Sequence, residues 1–332
     1  MLADKRNTLI NKIFSISSGQ EFEDMALKLF RFQSRKNKVY KQYIDLLGIH
    51  PRSVSSLKDI PCLPVSLFRT HKILTAEEPV KMVFKSSRTG AMIPSHHYLT
   101  DINLYRTSFL KCFELFYGDP ASYCILALLP SYLEREDSSL VYMAGELIKK
   151  SLHPKSGFYL DDLGKLAANL KELEANNENT LLLGVSFALI DLAEKQDLAL
   201  KNTIVMETGG MKGRRKEIIR EELHSLLKSG LGMKNIHSEY GMTELLSQAY
   251  SKSDGKFDCP PWMKIMIRDS YDPFSYVDAG SKGGVNIIDL ANIDSCAFIE
   301  TSDLGKILPD GRFEILGRFD NSDIRGCNLL IE

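Results

Sequence analysis

The chain has 332 residues, of which 44% are hydrophobic and 26% are charged, the usage of an ordinary globular protein that can fill two packed units. Its 42 basic and 43 acidic residues give a formal net charge of -1, which argues against a basic surface for nucleic acid or anionic lipid. We find no apolar N-terminal run and no uncharged stretch of roughly 20 residues, so we expect neither a secretory signal nor a membrane span. The six cysteines are scattered without a CxxC pair, which predicts free thiols in a cytoplasmic protein.

The N-terminal region is predicted to be helical. Apolar residues recur every three or four positions between Glu21 and Leu47, and Gly48 ends the pattern. The next segment, residues 49–68, holds three prolines but is too apolar for a linker. We therefore expect irregular chain laid over a core.

Short apolar runs alternate with amphipathic stretches through the middle of the chain. The runs are CILALLP, TLLLGV and NTIVMETGG, and helix-compatible stretches such as RRKEIIREELHSLLKSG follow them. This alternation predicts an α/β fold with a parallel sheet and crossover helices. After Pro260 the pattern changes to short strand-like pieces between Gly, Asp and Pro turns, which predicts a smaller, mostly antiparallel subdomain. We expect two units, residues 1–259 and 260–332.

Glycines follow a predicted strand in the segment NTIVMETGGMKGRRKE. Gly209 and Gly210 come directly before the expected start of a basic helix. Glycine there lets the backbone approach a flat ligand, and a helix N-terminus favours an anion. The alternative is a tight turn that needs glycine for its geometry alone.

The segment NIHSEYGMTELLSQAY predicts a strand, a turn at Tyr240 and Gly241, and a helix that Thr243 could cap. The Thr243 hydroxyl and the Glu244 carboxylate are what a phosphate and its magnesium ion would require. Tyr240 could supply a stacking face for a base. An ordinary capped helix, with Glu244 placed favourably against the helix dipole, would give the same pattern.

Two further segments lie near the end of the chain. In ETSDLGKIL we expect a strand to end in a turn at Asp303, whose carboxylate could accept both hydroxyls of a ribose or only form the turn. In LGRFDNSDIRGCNLLIE, a strongly charged turn carries Arg318, Asp320, Asp323 and Arg325. Taken alone, that turn would be a solvated loop.

The order and spacing of YGMTEL, TSDLG and GRFDNSDIRG resemble the nucleotide motifs of the adenylate-forming superfamily. More narrowly, the chain resembles the acyl-protein synthetase family of bacterial bioluminescence and the related phenylacetate-CoA ligases. The resemblance runs nearly end to end through FRFQSRKNKVY, DIPCLPVSLF, SSRTG, LLPSYLERE, ETGGMKG, SEYGMTEL and RGCNLL. It implies the large N-terminal domain of that fold, ending at a hinge motif in which Asp320 matches the hinge position, with the small mobile C-terminal domain essentially absent.

The resemblance also implies a reaction, in which ATP and Mg²⁺ activate a carboxylic acid, expected to be a fatty acid, as acyl-AMP. Tyr240 would face the adenine, Asp303 would bind the ribose, Thr243 would contact the α-phosphate and Glu244 would hold the metal. The cofactor-binding residues it implies are Ser86, Ser87, Thr89, Gly209, Gly210, Tyr240, Gly241, Asp303 and Arg318. The acyl group would pass to a thiol, with an acyl-CoA reductase or an acyl carrier as the partner protein.

Two departures from the family pattern bear on activity. The phosphate loop of the family is rich in Ser, Thr and Gly, whereas this chain has Arg88 where a glycine is usual, and Arg88 could hold the triphosphate or block the loop. Only 12 residues follow Asp320 in this sequence, so we expect no counterpart here of the catalytic lysine that longer relatives carry. Cys327 then becomes the candidate acyl acceptor, with Arg325 able to lower its pKa, although a free cysteine is more often a small buried hydrophobe.

Three other interpretations of the sequence stay open. GVSFA, residues 184–188, approximates a nucleophile elbow around Ser186, with His224 or His237 as the base of a serine hydrolase. A nucleotide- or acyl-binding partner of a larger assembly would keep the fold without the chemistry. The neighbours His96 and His97 should point to opposite faces of a strand, which argues against a metal site, and one of them could line the acyl pocket.

Overall fold

The computed structural model describes residues 2–87, 93–129, 137–160, 162–209, 215 and 218–319, without the side chains of residues 2–5. The α-helices in these ranges are α1 (Leu2–Ile13), α2 (Gly19–Lys36), α3 (Lys38–Leu46), α4 (Leu67–Thr70), α5 (Ile102–Tyr117), α6 (Ser139–Ser151), α7 (Leu163–Ala175), α8 (Ser186–Lys195) and α9 (Arg220–Leu231). The strands are β1 (Leu63–Pro64), β2 (Met82–Lys85), β3 (His96–Leu99), β4 (Cys124–Leu128), β5 (Gly157–Phe158), β6 (Thr180–Val185), β7 (Thr203–Thr208), β8 (His237–Tyr240), β9 (Ala249–Ser251), β10 (Met263–Arg268), β11 (Lys282–Asp289), β12 (Phe298–Ile307) and β13 (Phe313–Arg318).

The predicted N-terminal helical region is confirmed, but Asn37 divides it into α2 and α3. The Asn37 side chain accepts a hydrogen bond from the Tyr40 amide at 3.0 Å and so caps α3. Its amide group donates to the Ser295 carbonyl at 3.0 Å. Because this buried side chain is bonded through both its oxygen and its nitrogen, the junction of the two helices is tied to the chain after β11.

A six-stranded sheet with the order β5-β4-β6-β7-β8-β9 forms the first layer. The neighbours from β5 to β8 pair in parallel, and β9 pairs antiparallel to β8. Strands β4 and β6 are buried along their whole length, which explains their continuous apolar runs. The prediction of a parallel sheet with crossover helices is confirmed.

The helix expected directly after Gly210 begins only at Arg220. Arg215 lies outside the helix and pairs with Asp191 and Glu194 of α8, which holds that part of the chain against another element. Acidic residues fill the first turn of α9, where they favour a helix start.

The second sheet has the order β1-β12-β11-β10, and β13 pairs with β12. Strands β10 to β13 pair antiparallel, as predicted, whereas β1 joins β12 in parallel from the N-terminal region. A division at residue 259 therefore separates the strands of the two sheets except β1, and the division into two units remains a prediction.

Strand β12 does not end at Asp303 as expected but continues to Ile307. The register shifts between Leu304 and Gly305, so a bulge lies where the sequence indicated a turn. A Cβ atom at Gly305 would come within 2.7 Å of the Glu314 carbonyl oxygen, so only glycine allows β13 to approach there. Asp303 thus lies on a continuous strand.

A two-stranded hairpin, β2 and β3, precedes the first sheet in the chain. Phe84 of this hairpin is fully buried against Tyr105 of α5, with ring centroids 5.2 Å apart. Beyond the paired strands, the Ser86 amide donates to the Ser95 carbonyl at 3.1 Å. Across the described residues, no helix combines the length and the apolar character needed to cross a bilayer.

Candidate active site

The carboxyl ends of β7 and β8 lie side by side, because Thr208 pairs with Glu239. Gly209 follows β7 with φ of 70°, a left-handed conformation that favours glycine, and it is exposed. Gly241 follows β8 and is also exposed, and a Cβ atom there would collide with the carboxylate of Glu239. Open backbone at adjacent strand ends is where ligands bind in parallel sheets. Gly210 lies outside the described residues.

Tyr240, Asp303 and Arg318 form one hydrogen-bonded group between the two sheets. The Tyr240 hydroxyl donates to Asp303 Oδ2 at 2.7 Å, and Arg318 Nε donates to Asp303 Oδ1 at 3.2 Å. Asp303 is 6% exposed, whereas the Arg318 side chain is 75% exposed. Burial raises the pKa of Tyr240 well above its usual value, so the hydroxyl keeps its proton as a donor. The structure therefore brings together three of the predicted binding residues.

The helix expected after Gly241 is absent, and the segment forms a turn at Thr243 and Glu244 before β9. The backbone amides of Leu246 and Ser247 donate to Asp289 Oδ2 at 2.8 and 2.9 Å. Since these amides are bound to a side chain, they are not free for the bonds that would continue a helix. Thr243 is half-buried and Glu244 is buried at the open end of the sheet.

Glu244 is a buried carboxylate with few partners among the described residues. Burial raises its pKa, while a hydrogen bond with Ser95 and the charges of Arg318 and Arg69 oppose the rise. The Ser95 amide donates to Ser86 Oγ at 2.9 Å. Ser95 thus connects the beginning of the predicted phosphate loop to the predicted metal ligand.

The neighbouring positions of the phosphate loop are described only in part. Ser87 is half-buried. Arg88 and Thr89 lie outside the described residues, and so do Asp320, Arg325 and Cys327. Their predicted roles stay predictions.

A pair of buried acids, Glu207 and Glu239, was missed by the sequence reasoning. Burial, together with the nearby charge of Glu207, raises the pKa of Glu239 to about 7, although a hydrogen bond from Thr208 opposes the rise. Burial would also raise the pKa of Glu207, but its hydrogen bond with His224 and the charge of Arg220 lower it. For Glu207 a signal was present, since this acid stands inside the apolar strand TIVMET, where an unpaired charge is costly. Strand β8 has the sequence HSEY and gave no such signal for Glu239.

The Ser186 interpretation fails on the geometry of the serine. Ser186 does follow strand β6 and begins α8, as a nucleophile elbow would. It is 1% exposed, however, and its hydroxyl donates to the Gly209 carbonyl at 3.0 Å. The Nε2 atom of His224 instead lies 3.3 Å from the Ser238 hydroxyl. A buried hydroxyl that donates to a carbonyl is not positioned to attack a substrate.

The two adjacent histidines lie on opposite faces of β3, as predicted. His96 is half-buried and His97 is buried. Within the described part of the chain, no group of three or more His, Cys, Asp or Glu side chains could hold a metal ion. Neither histidine therefore belongs to a metal centre formed by these residues.

Comparison with known proteins defines the class of this fold. No family model matches the chain. A crystal structure of 2-hydroxyisobutyryl-CoA ligase (HCL) with 2-HIB-AMP and CoA superimposes with a TM-score of 0.68 at 14% identity, over 92% of this chain and 72% of the ligase. The chain has the fold of the adenylate-forming enzymes.

Two further matches agree with this class. ATP-bound MatB from Rhodopseudomonas palustris matches with a TM-score of 0.55 at 15% identity over 73% of this chain, which spans 49% of that protein. In sequence, the chain is 22% identical over 325 residues to a long-chain-fatty-acid–luciferin-component ligase of Vibrio harveyi, covering 90% of this chain and 84% of the relative. The resemblance read from the motifs is confirmed.

Proposed function

We propose that this chain uses ATP to activate a carboxylic acid as an acyl-AMP and then passes the acyl group to a thiol. The observation that carries the proposal is the grouping of Tyr240, Asp303 and Arg318 beside the sparsely partnered Glu244. The adenylate-forming fold and the similarity to a long-chain-fatty-acid ligase support the same reaction and a fatty acid as the substrate. The proposed enzyme is an acid–thiol ligase of the acyl-protein synthetase type.

The residues at the strand ends fit a nucleotide. A carboxylate offers about four acceptor sites, and Asp303 has side-chain donors only from Tyr240 and Arg318 among the described residues. The remaining acceptor sites can take the two hydroxyls of a ribose. The exposed backbone of Gly209 and Gly241 would let the base lie close to the chain.

Glu244 fits a single-carboxylate magnesium site. Magnesium in nucleotide enzymes is bound through one or two carboxylates, with phosphates and water as the other ligands. A cation at Glu244 would also offset the burial cost that raises the pKa of this carboxyl. Bound there, Mg²⁺ would neutralise charge on the phosphates, while the Thr243 hydroxyl would donate to the α-phosphate.

The reaction balances without an oxidant or reductant. A carboxylate oxygen of the acid bonds to the α-phosphorus, and the bond to the β-phosphate oxygen breaks to release pyrophosphate. A thiolate then attacks the acyl carbon, and AMP leaves with the electron pair of the broken bond. Cys327 is the proposed acceptor within the chain, and an acyl-CoA reductase or an acyl carrier is the proposed partner. We place the reaction in the cytoplasm.

Titration calorimetry with ATP–Mg²⁺ and a non-hydrolysable acyl-AMP analogue tests this proposal. Asp303→Ala should weaken analogue binding about 100-fold, because two hydrogen bonds to a charged acceptor are lost. Asp310→Ala, at an exposed acid that pairs with Arg312, is the matched control and should bind as the wild type does. Binding of neither ligand would overturn the proposal.

Mass spectrometry of the chain after reaction with ATP and a fatty acid separates the remaining alternatives. An acyl adduct on Cys327 would identify the acceptor. Tight binding of the analogue without pyrophosphate release would instead indicate the binding-partner alternative. In that case the chain would keep the nucleotide site without the chemistry.

A further inference from the structure

Two buried side chains from distant parts of the chain hold consecutive carbonyl groups of the active-site turn. His97 Nδ1 lies 2.8 Å from the Thr243 carbonyl oxygen, and Asn292 Nδ2 lies 2.9 Å from the Glu244 carbonyl oxygen. His97 is 1% exposed and Asn292 is 0% exposed. Neither residue contributes to the reaction as described above.

The chemistry of these contacts fixes the state of the histidine. A carbonyl oxygen can only accept, so the proton of His97 must lie on Nδ1. Burial lowers the pKa of His97 to about 4, which keeps the ring neutral at physiological pH. His97 Nε2 and Asn292 Oδ1 are then buried acceptors without a partner among the described residues. Two unpaired buried atoms are a cost that apolar side chains would avoid, which indicates a role for the two donors.

The turn needs such donors because it is not part of a helix. Asp289 binds the amides of Leu246 and Ser247, just after the turn. His97 and Asn292 bind the carbonyls of the turn itself. Together these three side chains hold the backbone on both sides of Glu244.

His97 also links two parts of the site. It lies on β3, two positions after Ser95. Ser95 contacts both Ser86 and Glu244. We propose that His97 and Asn292 are positioning residues, which hold the Thr243–Glu244 turn against the end of the hairpin at Ser86 and Ser95, so that the predicted metal ligand keeps a fixed position relative to these two serines. This inference rests on the proposed function for its catalytic consequence but not for the contact itself.

Matched substitutions at His97 test the proposal. Asn carries its amide nitrogen on Cγ, as histidine carries Nδ1, so His97→Asn keeps a donor for the Thr243 carbonyl. Gln places its amide nitrogen one atom further out, near Nε2, so His97→Gln removes that donor. The exchange of pyrophosphate into ATP is measured against Mg²⁺ concentration. His97→Gln should lower the rate and raise the Mg²⁺ half-saturation by about 10- to 100-fold, and His97→Asn should restore both.

Three outcomes would overturn the positioning role. The first is an equal loss of pyrophosphate exchange in His97→Gln and His97→Asn. The second is an unchanged Mg²⁺ dependence in His97→Gln. The third is a loss of exchange rate that is fully explained by a lower unfolding midpoint of the variant. Asn292→Leu, which keeps the volume but not the donor, should give the same Mg²⁺ effect as His97→Gln. A normal Mg²⁺ dependence in Asn292→Leu would remove Asn292 from the proposal.

Hydrogen–deuterium exchange separates this inference from the proposed function. The amides of residues 243–247 should lose protection in His97→Gln and keep it in His97→Asn. If the wild type exchanges no pyrophosphate but protection is lost in His97→Gln and kept in His97→Asn, the proposed function fails, whereas the contact between His97 and the Thr243 carbonyl is supported. Protection that is the same in both variants overturns the contact.

Discussion

Two buried carboxylates beside the same turn, Asp289 and Glu244, differ in how completely they are bonded. Asp289 is 0% exposed and accepts from the amides of Leu246, Ser247 and Ala291 and from the Ser247 hydroxyl, at 2.6 to 3.1 Å. Glu244 is 5% exposed, and from the part of the chain that the structure describes it receives hydrogen bonds only from the Ser95 side chain and its own backbone. Both carboxyls have a pKa raised by burial.

This difference distinguishes a carboxylate that holds the backbone of the site in place from one that is available to bind a ligand. Burying a charge is costly unless hydrogen bonds replace the lost water, and four donors at Asp289 do so. Glu244 bears the same cost with fewer donors from the described residues, which is typical of a group kept for a ligand. Burial alone does not separate the two, and the number of donors does.

Asp289→Ala should have the largest effect on stability. It leaves buried amides of Leu246 and Ser247 without an acceptor, so we expect the free energy of unfolding to fall by about 3 to 5 kcal/mol. The single tryptophan, Trp262, reports the change in a urea titration because its indole nitrogen donates to the Ser247 hydroxyl at 3.0 Å. Asp310→Ala provides the exposed control, and an unchanged midpoint for Asp289→Ala would break the comparison.

Glu244→Gln should show the opposite behaviour. An amide of the same size cannot bind Mg²⁺ as a carboxylate does, so pyrophosphate exchange should fall by about 100-fold. The unfolding midpoint at neutral pH should stay equal or rise, because the buried charge is removed. A loss of stability like that of Asp289→Ala would assign Glu244 a structural role instead.

Glu239→Gln sharpens the comparison through its pH dependence. The pKa of Glu239 is raised from 4.5 to about 7 in the folded chain. The unfolded state therefore loses its proton first, and stability falls as pH rises from about 4.5 to 7. The variant lacks this penalty, so at pH 8 it should be more stable than the wild type by about 3 kcal/mol and at pH 4 nearly equal. Urea titrations at both pH values measure this, and a gain that is equal at both would contradict the raised pKa.

The sequence predicted the layers of this fold better than the backbone of its site. Continuous apolar runs predicted the parallel strands because burial on both faces leaves no other pattern. The helix expected after Gly241 was wrong because Asp289, more than 40 positions further on, binds the amides of Leu246 and Ser247 just after the turn. The turn expected at Asp303 was wrong because a bulge at Gly305 carries the strand onward. Both errors come from contacts between distant residues, which local patterns do not contain.

The residues of the site were predictable only through the order of their motifs. Tyr240 and Asp303 are 63 positions apart, and nothing in the sequence around either residue indicates that the Tyr240 hydroxyl donates to the Asp303 carboxylate. Glu207 could have been found as an acid inside an apolar strand, whereas Glu239 lies in the polar sequence HSEY. Asn292 and His97 could not, because their roles depend on carbonyls that only the folded chain brings to them.

Tyr240→Phe should have the smallest effect and tests how Asp303 is held. The substitution keeps the ring, which packs edge-on against Phe257 and Phe313 with centroids 6.0 and 5.8 Å away. It removes the hydroxyl that donates to Asp303, leaving Arg318 Nε as the only side-chain donor to that carboxylate among the described residues. One such bond contributes about 1 kcal/mol, so analogue binding measured by calorimetry should weaken about 5-fold. An effect as large as that of Asp303→Ala would mean that the hydroxyl, through its bond to Asp303, determines the position of the whole ribose-binding group.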